Sequence, residues 1–511
     1  MVGTGNGTRL VETHTATLLL VGDRVLKWKK PVVFDFVDFS TLEARRRACE
    51  AEVTLNRRLA PDVYEGVATL RAPDGSVMEH VVVMRRLPAE AALSRLAVAG
   101  SDLRDPVRAL AHQLAAFHSR CAPAPYPHAV AGVERLCTLW DAGLDVLAEQ
   151  GRDVVDRADV HEARQLVHAY LAGRRPLIDE RISRGLVRDG HGDLLADDVF
   201  VLPDGVRVLD CLDFDPALRA GDVLLDVASL AMDLERLGRP GAAVEFLQRY
   251  SELSAENHPG TLEDFFVAYR AQVRAKVALL RAGQRGDEAS EQRQQAGRLS
   301  ALMLDHLRRA QVRLVLVGGL PGTGGSTVAE GLAESSGWLV HSSDLVRREL
   351  DLPADERYTQ HAVDQVYAEL LRRARRGLER GWSVVLDATW TDDAQRRRAQ
   401  ELADETSSVL VPLVCDAPAE LARMRLAQRG PDHVSDADAA VHRLLAGRAD
   451  PWPQAIRIDT SRTPDDAVQQ ALTAVSAGRP APSAARAVDP ALGRRHSTRA
   501  SCLTKASDDG K

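Results

Sequence analysis

Three carboxylates, Asp193, Asp198 and Asp210, lie close together in one stretch near the middle of the chain, residues 186–215, LVRDGHGDLLADDVFVLPDGVRVLDCLDFD. Asp193 follows His191 and Gly192 on a loop, where a carboxylate can act as a base toward a hydroxyl. Asp198 and Asp210 are near enough to share a divalent cation. Phosphoryl transfer needs that set: one residue to orient the nucleophile and oxygen ligands to hold Mg²⁺ against phosphates. Asp204 is read differently, as a solvated turn residue.

The elements that must position these groups follow from pattern. Residues 199–202 and 206–209 are two β-branched runs closed by Pro203-Asp204-Gly205, a hairpin. Upstream, residues 13–21 and 24–27 form another hairpin, and Lys27, Lys29 and Lys30 follow at once. The pattern over 40–59 is helical, with Ser40 as N-cap, Glu43 at the capping-box position, and Glu50 and Glu52 late on the helix. Strands are expected at 67–70 and 77–84. A lysine on an early strand and a glutamate on the next helix suit a small lobe that holds ATP, the Lys on its α/β-phosphates and the Glu fixing the Lys. No G-x-G-x-x-G lies in the first hairpin. Residues 105–184, 262–280 and 289–310 read as helices. His118 is expected to be a packing residue. Asp222 and Asp226, one turn apart, are placed to brace the 191–193 loop through its backbone N–H groups, or to complement a helix N-terminus. The polar stretch 283–291 is the strongest signal of a domain boundary.

A different style begins near Val312. An apolar strand over 312–317 runs into GGLPGTGGST at 318–327, the strand, glycine loop and helix context of a P-loop. Gly319, Gly322, Gly324, Gly325, Ser326 and Thr327 are the candidate phosphate-holding residues, with Ser326 also reaching Mg²⁺. The usual lysine position holds Gly325. The chain has six lysines against sixty arginines, and none lies between residues 277 and 504, so any replacement cation there is an arginine. Asp387 ends a further apolar strand as a candidate Mg²⁺ carboxylate, and Arg425 and Arg429, four apart on a helix, suit a phosphate clamp. Strand and helix alternate to about residue 475, predicting a parallel sheet. Residues 1–10 and 478–511 carry no core pattern and are expected to be disordered.

At 511 residues the chain is too long for one core. With 45% hydrophobic and 27% charged residues it reads as globular, and a net charge of −7 gives no footprint for nucleic acid. No apolar run approaches a membrane span, and no signal peptide is read at the start. The six cysteines are scattered without a CxxC pair, which points to reduced thiols and a cytoplasmic setting.

Taken together, His191-Gly192-Asp193, Asp198, Asp210 and Asp222/Asp226 resemble the catalytic lobe of the aminoglycoside phosphotransferase, protein-kinase-like superfamily. The segments 12–14, 27–31, 38–43, 56–59, 210–214, 274–276 and 318–327 resemble the bacterial two-domain family in which that domain is fused to a P-loop, polynucleotide- or gluconate-kinase-like ATP-binding domain. The resemblance spans about residues 10–475. It implies an α+β two-lobed kinase-like domain (11–305) followed by an α/β P-loop domain with a parallel sheet (311–475). It implies Asp193 as catalytic residue, Asp210 as metal ligand, Asp198 where the superfamily usually has Asn, and Lys27 (with Lys29 as rival) paired with Glu52. In the second domain it implies Asp344 as hydroxyl-orienting base, Arg347 as substrate contact and Arg425 as a lid residue, while the family's lysine is absent at Gly325. The expected activity is ATP- and Mg²⁺-dependent phosphorylation of a small-molecule hydroxyl. The alternative is a nucleotide-binding regulatory or scaffold protein with two degenerate sites.

Overall fold

The computed structural model describes residues 8–13, 15–34, 37–283, 289–351, 359–428 and 439–476. The tail from 478 onward and Arg429 therefore lie outside the described residues. The N-terminal lobe is a five-stranded sheet in the order Arg9–Glu12, Ala16–Val21, Arg24–Lys29, Val77–Arg85, Tyr64–Arg71, antiparallel throughout. Arg9 and Leu10 pair with Leu20 and Leu19, so these two residues are strand rather than disordered terminus. In Arg24–Lys29 the alternation of side chains turns Val25, Lys27 and Lys29 to the buried face. The helix Leu42–Asn56 packs over that face. Its N-cap is Thr41, which accepts from the Ala44 amide, and not Ser40, whose own amide is taken by Asp38.

A helical lobe follows. Its longest elements are Arg104–Arg120, Val133–Gln150, Arg157–Gly173, Val223–Arg236, Pro240–Ser254, Gly260–Ala282 and Ala289–Arg309. The hairpin Val199–Leu202 with Gly205–Val208 lies between the lobes, and Phe200 and Leu209 complete the core of the N-terminal sheet with Leu18, Leu20, Val25, Val53, Val82 and Met84. Of the polar stretch 283–291, residues 284–288 lie outside the described residues, and the helices that flank it belong to one lobe. Gly260–Ala282 and Ala289–Arg309 pack along each other, and Ala296, Leu299, Met303, Leu304 and Leu307 share the helical lobe's core. That second helix runs straight to the first strand of the next domain.

The C-terminal part is a parallel five-stranded sheet ordered Leu339–Ser342, Val384–Asp387, Arg313–Gly318, Val409–Asp416, Ile456–Asp459. Its central strand is buried along its whole length, with Leu314 and Leu316 in one apolar cluster and Val315 and Val317 in another. The first of these clusters is continuous with the helical lobe: it contains Leu177, Ile178 and Phe265 as well as Leu370, Leu378, Leu386 and Leu402. At the seam, Arg174 is fully buried and donates to the carbonyls of Leu378 (2.7 Å), Thr406 and Ser407 (3.2 Å). Thr261 Oγ1 donates to Gly381 O at 2.6 Å beside it.

Candidate active sites

The first site forms where the N-terminal sheet meets the hairpin. Lys27 and Lys29, on one face of one strand, both reach Glu52: Lys27 Nζ lies 2.7 Å from Oε1 and Lys29 Nζ 2.9 Å from Oε2. Lys27 also lies 3.6 Å from Asp210 Oδ1, whereas Lys29 donates to Asp213 Oδ2 at 2.6 Å. Burial alone would raise the Glu52 pKa, but the two ammonium groups outweigh it and hold the carboxyl down to about 2. Burial likewise works against the Lys29 charge, and Asp213 and Glu52 reverse that and raise its pKa. The pairing therefore distinguishes the lysines by their second partner. Lys27 faces Asp210, and Lys29 ties the segment after it.

Asp198 and Asp210 stand at the open end of the hairpin. Val199 pairs with Val208, and the Leu209 amide donates to the Asp198 carbonyl at 2.9 Å, which sets the two aspartates nearly opposite each other. Asp198 is buried and Asp210 half-exposed. Asp210 has a left-handed backbone, φ 61°, held by Cys211, whose amide donates to Asn56 Oδ1 at 2.9 Å. Asn56 in turn donates to the Glu52 carbonyl, so a single helix turn fixes both the lysine partner and the aspartate segment. Among the described residues no three His, Cys, Asp or Glu side chains converge as a ready-made metal cage. Two carboxylates at the mouth of a hairpin are nevertheless the protein share that Mg²⁺ takes when phosphates and water complete its shell.

The loop carrying Asp193 is built from behind. Asp226 accepts from the amides of His191 (2.6 Å) and Gly192 (2.8 Å), and from His118 Nε2 at 3.2 Å, while His118 Nδ1 meets Tyr250 Oη at 2.8 Å. Burial would raise the Asp226 pKa, but these donors drive it far below the usual carboxylate range. Asp226 thus braces the loop, and His118 is the packing residue expected. Asp222 has the other role: it caps Val223–Arg236 by accepting from Leu224 and pairs with buried Arg181 at 2.8 Å. His191 Nε2 donates to Leu209 O at 2.9 Å, and burial lowers its pKa in spite of nearby Asp226.

Three arginines with no assigned role in the sequence complete the loop. Arg58 donates to the carbonyls of Asp189 (2.9 Å) and Gly190 (2.7 Å) and stacks over Phe117, Arg270 donates to Gly192 O at 2.9 Å, and Arg274 Nη1 lies 3.8 Å from Asp193 Oδ2. Arg58 is 131 residues from Asp189, and spacing gives no hint of such a contact. The four-residue step from Arg270 to Arg274, which puts both on one helix face, is a usable signal beside the family-like segments 56–59 and 274–276.

In the second site the loop after Arg313–Gly318 wraps the start of the helix Gly325–Ser336. Gly322 has φ 88°, and a Cβ there would lie 2.6 Å from the Ala422 carbonyl, so the loop's close seat on the helix Ala419–Ala427 requires glycine. Gly319 and Gly324 also have positive φ; Gly325 opens the helix, and Ser326 and Thr327 are exposed on its first turn. Ser326 Oγ donates to Asp387 Oδ2 at 2.8 Å. Burial and the nearby charge of Asp344 push Asp387 up to about 6, against the Ser326 hydrogen bond. Asp344 lies in the first turn of the helix Ser343–Glu349 and is paired with Arg347. Arg425 Nη2 donates to Thr460 O at 2.8 Å beside the loop.

A two-lobed kinase-like domain with an Asp-bearing loop, joined to a P-loop α/β domain, is the class these features define. Residues 26–265 match the model of the phosphotransferase enzyme family, and residues 314–451 match that of an AAA domain. The chain belongs to the family of the uncharacterized protein Rv2004c of Mycobacterium tuberculosis (strain ATCC 25618 / H37Rv), with which it is 41% identical over 470 residues, 90% of this chain and 94% of the relative. Uncharacterized protein Mb2027c of Mycobacterium bovis gives the same values. Among solved structures, a choline/ethanolamine kinase family protein from Mesorhizobium loti is similar over 60% of this chain and 94% of its own (15% identity, TM-score 0.39). A gluconokinase from Sinorhizobium meliloti 1021 is similar over 32% and 91% (18% identity, TM-score 0.26). No helix among the described residues is long and apolar enough to cross a membrane.

Proposed function

We propose that the N-terminal domain transfers the terminal phosphoryl group of ATP to a hydroxyl of a small molecule. The observation that carries this reading is the convergence of Lys27, Glu52 and Asp210, with Lys27 2.7 Å from one carboxylate and 3.6 Å from the other. Lys27, fixed by Glu52, binds the α/β-phosphates. Asp193 orients the acceptor hydroxyl and takes its proton as the oxygen bonds to the γ-phosphorus and the bond to the bridging β–γ oxygen breaks, leaving ADP. Asp198 and Asp210 would hold Mg²⁺, which when bound offsets charge on the phosphates. Arg274, with Nη1 3.8 Å from Asp193 Oδ2, helps to position that carboxylate.

The P-loop domain is a second nucleotide site in this reading. Ser326 and Asp387 would hold its metal, Asp344 and Arg347 would meet the acceptor side, and Gly325 in place of lysine makes turnover slow there, since charge at the β/γ bridge supplies much of the catalysis. The test is ADP release by the full chain with a panel of hydroxylated small molecules. Asp193→Ala plus Asp210→Ala is expected to abolish the acceptor-dependent release, whereas Ser326→Ala leaves it nearly intact. Release that survives the double substitution overturns the assignment.

A further inference from the structure

Gly325 leaves the P-loop without its lysine, yet the structure brings a different cation to the same turn. Arg425 projects from the helix Ala419–Ala427 toward Gly324. A Cβ built on Gly324 would lie 3.6 Å from Arg425 Nη1 and 3.5 Å from the Thr460 Cβ. The guanidinium is anchored at one end only. Nη2 donates to the Thr460 carbonyl at 2.8 Å, while Nη1 is buried and has no hydrogen-bond partner among the described residues. The anchor is itself tied to the loop: Thr460 is buried, and its Oγ1 donates to Thr323 O at 2.6 Å and lies 3.0 Å from Asp416 O.

A buried guanidinium nitrogen without an acceptor is costly, and an anion seated on the loop's amides would satisfy it. Two other arginines near this end of the sheet have terminal guanidinium nitrogens engaged elsewhere. Arg347 is paired with Asp344, and Arg396 donates to Asp450 O and Pro451 O and lies over Trp452. Position 325 itself has room. A Cβ there meets nothing nearer than Asp387 Oδ1 at 3.5 Å, so glycine is not imposed by packing.

We infer that Arg425 supplies the phosphate-binding positive charge that lysine provides in an ordinary P-loop, entering from the neighbouring helix rather than from the loop itself. The inference rests on the reading of this domain as a nucleotide site and extends it. Nucleotide affinity is retained through Arg425. A planar guanidinium held at the side of the loop does not follow the transferring phosphoryl group as a flexible ammonium does, in line with the slow turnover proposed for this domain.

The test is photolabelling of the full chain with azido-ATP, read as half-saturation of label in peptides from residues 311–476, with Mg·ATP as competitor. Arg425→Ala is expected to weaken labelling there by about tenfold or more, the scale of one charge-assisted hydrogen bond lost. Adding Gly325→Lys to Arg425→Ala is expected to restore it, because the charge is returned from the other side. Unchanged labelling in Arg425→Ala overturns the proposal. So does a loss that Gly325→Lys fails to repair, which would make Arg425 a structural tie to Thr460. Absence of label from 311–476 in the unaltered chain removes the nucleotide reading of this domain, and the proposal with it, while label in 11–305 reports the first site separately.

Discussion

Arg174, from the helical lobe, donates to the carbonyl of Leu378, in the P-loop domain, at 2.7 Å with its guanidinium fully buried. Burial lowers its pKa to about 10, so it stays charged at neutral pH. Arg174→Met strands several buried carbonyls at once and is expected to cost about 3 kcal/mol or more, read as a lower denaturant midpoint. The core is continuous across this seam, so both domains should unfold together. Trp140 and Trp390, each fully buried in its own domain, report on the two halves. Separate midpoints for the two tryptophans would refute the shared core.

Glu52 is the common partner of two buried lysines. Glu52→Gln leaves both with one neutral partner and is expected to destabilise the N-terminal lobe by about 3–5 kcal/mol. Lys27→Ala should weaken nucleotide binding at the first site far more than Lys29→Ala, since Lys27 faces Asp210. Equal losses in a calorimetric titration would reject that distinction.

Asp226 holds two amides of the loop that carries Asp193. Asp226→Asn keeps the shape but turns one acceptor into a donor facing an N–H. Stability is expected to fall by about 1–3 kcal/mol. ADP release should fall further than nucleotide affinity if, as proposed, the loop positions the base and not the nucleotide. A variant with wild-type turnover would show that Asp226 merely packs.

His306 sits between Asp264 (2.7 Å from Nδ1) and Glu235 (3.1 Å from Nε2), with Arg309 against the same ring. Burial alone would lower its pKa, but the hydrogen bonds to the two carboxylates raise it above 6.5 in spite of Arg309. A raised folded value favours the charged form. The stabilisation is therefore complete below pH 6.5 and is lost as pH climbs through the folded value. Denaturation midpoints measured upward from pH 6.5 should decline in the parent chain and flatten in His306→Gln. An unchanged slope in that variant would assign the pH dependence elsewhere.

The sequence showed much of this architecture because its strongest signals are local. The 199–209 hairpin, the buried strand before Gly318, and the helix carrying Glu52 each follow from a few neighbouring residues. Most of what it hid depends on contacts distant in sequence. The choice of Thr41 over its neighbour Ser40 as the cap is a local one that two adjacent hydroxyl residues leave open. The polar 283–291 stretch reads as a domain boundary, yet the helices on either side of it pack together along an apolar stripe. Arg58 and Arg270 are two among sixty arginines, and their contacts with the 189–192 loop come from the fold, whereas Arg425 was already a candidate in the sequence.

Asp210 takes a left-handed backbone that glycine adopts freely and aspartate adopts at a cost of about 1–3 kcal/mol. Asp210→Gly is thus expected to yield a chain more stable than Asp210→Ala, and as stable as the parent or more so, with phosphotransfer lost; a thermal melt of the three proteins decides it. Stability and chemistry pull in opposite directions at this one position. Released from any demand for turnover, a lineage carrying this fold would be expected to drift toward glycine here, leaving a sturdier but silent protein.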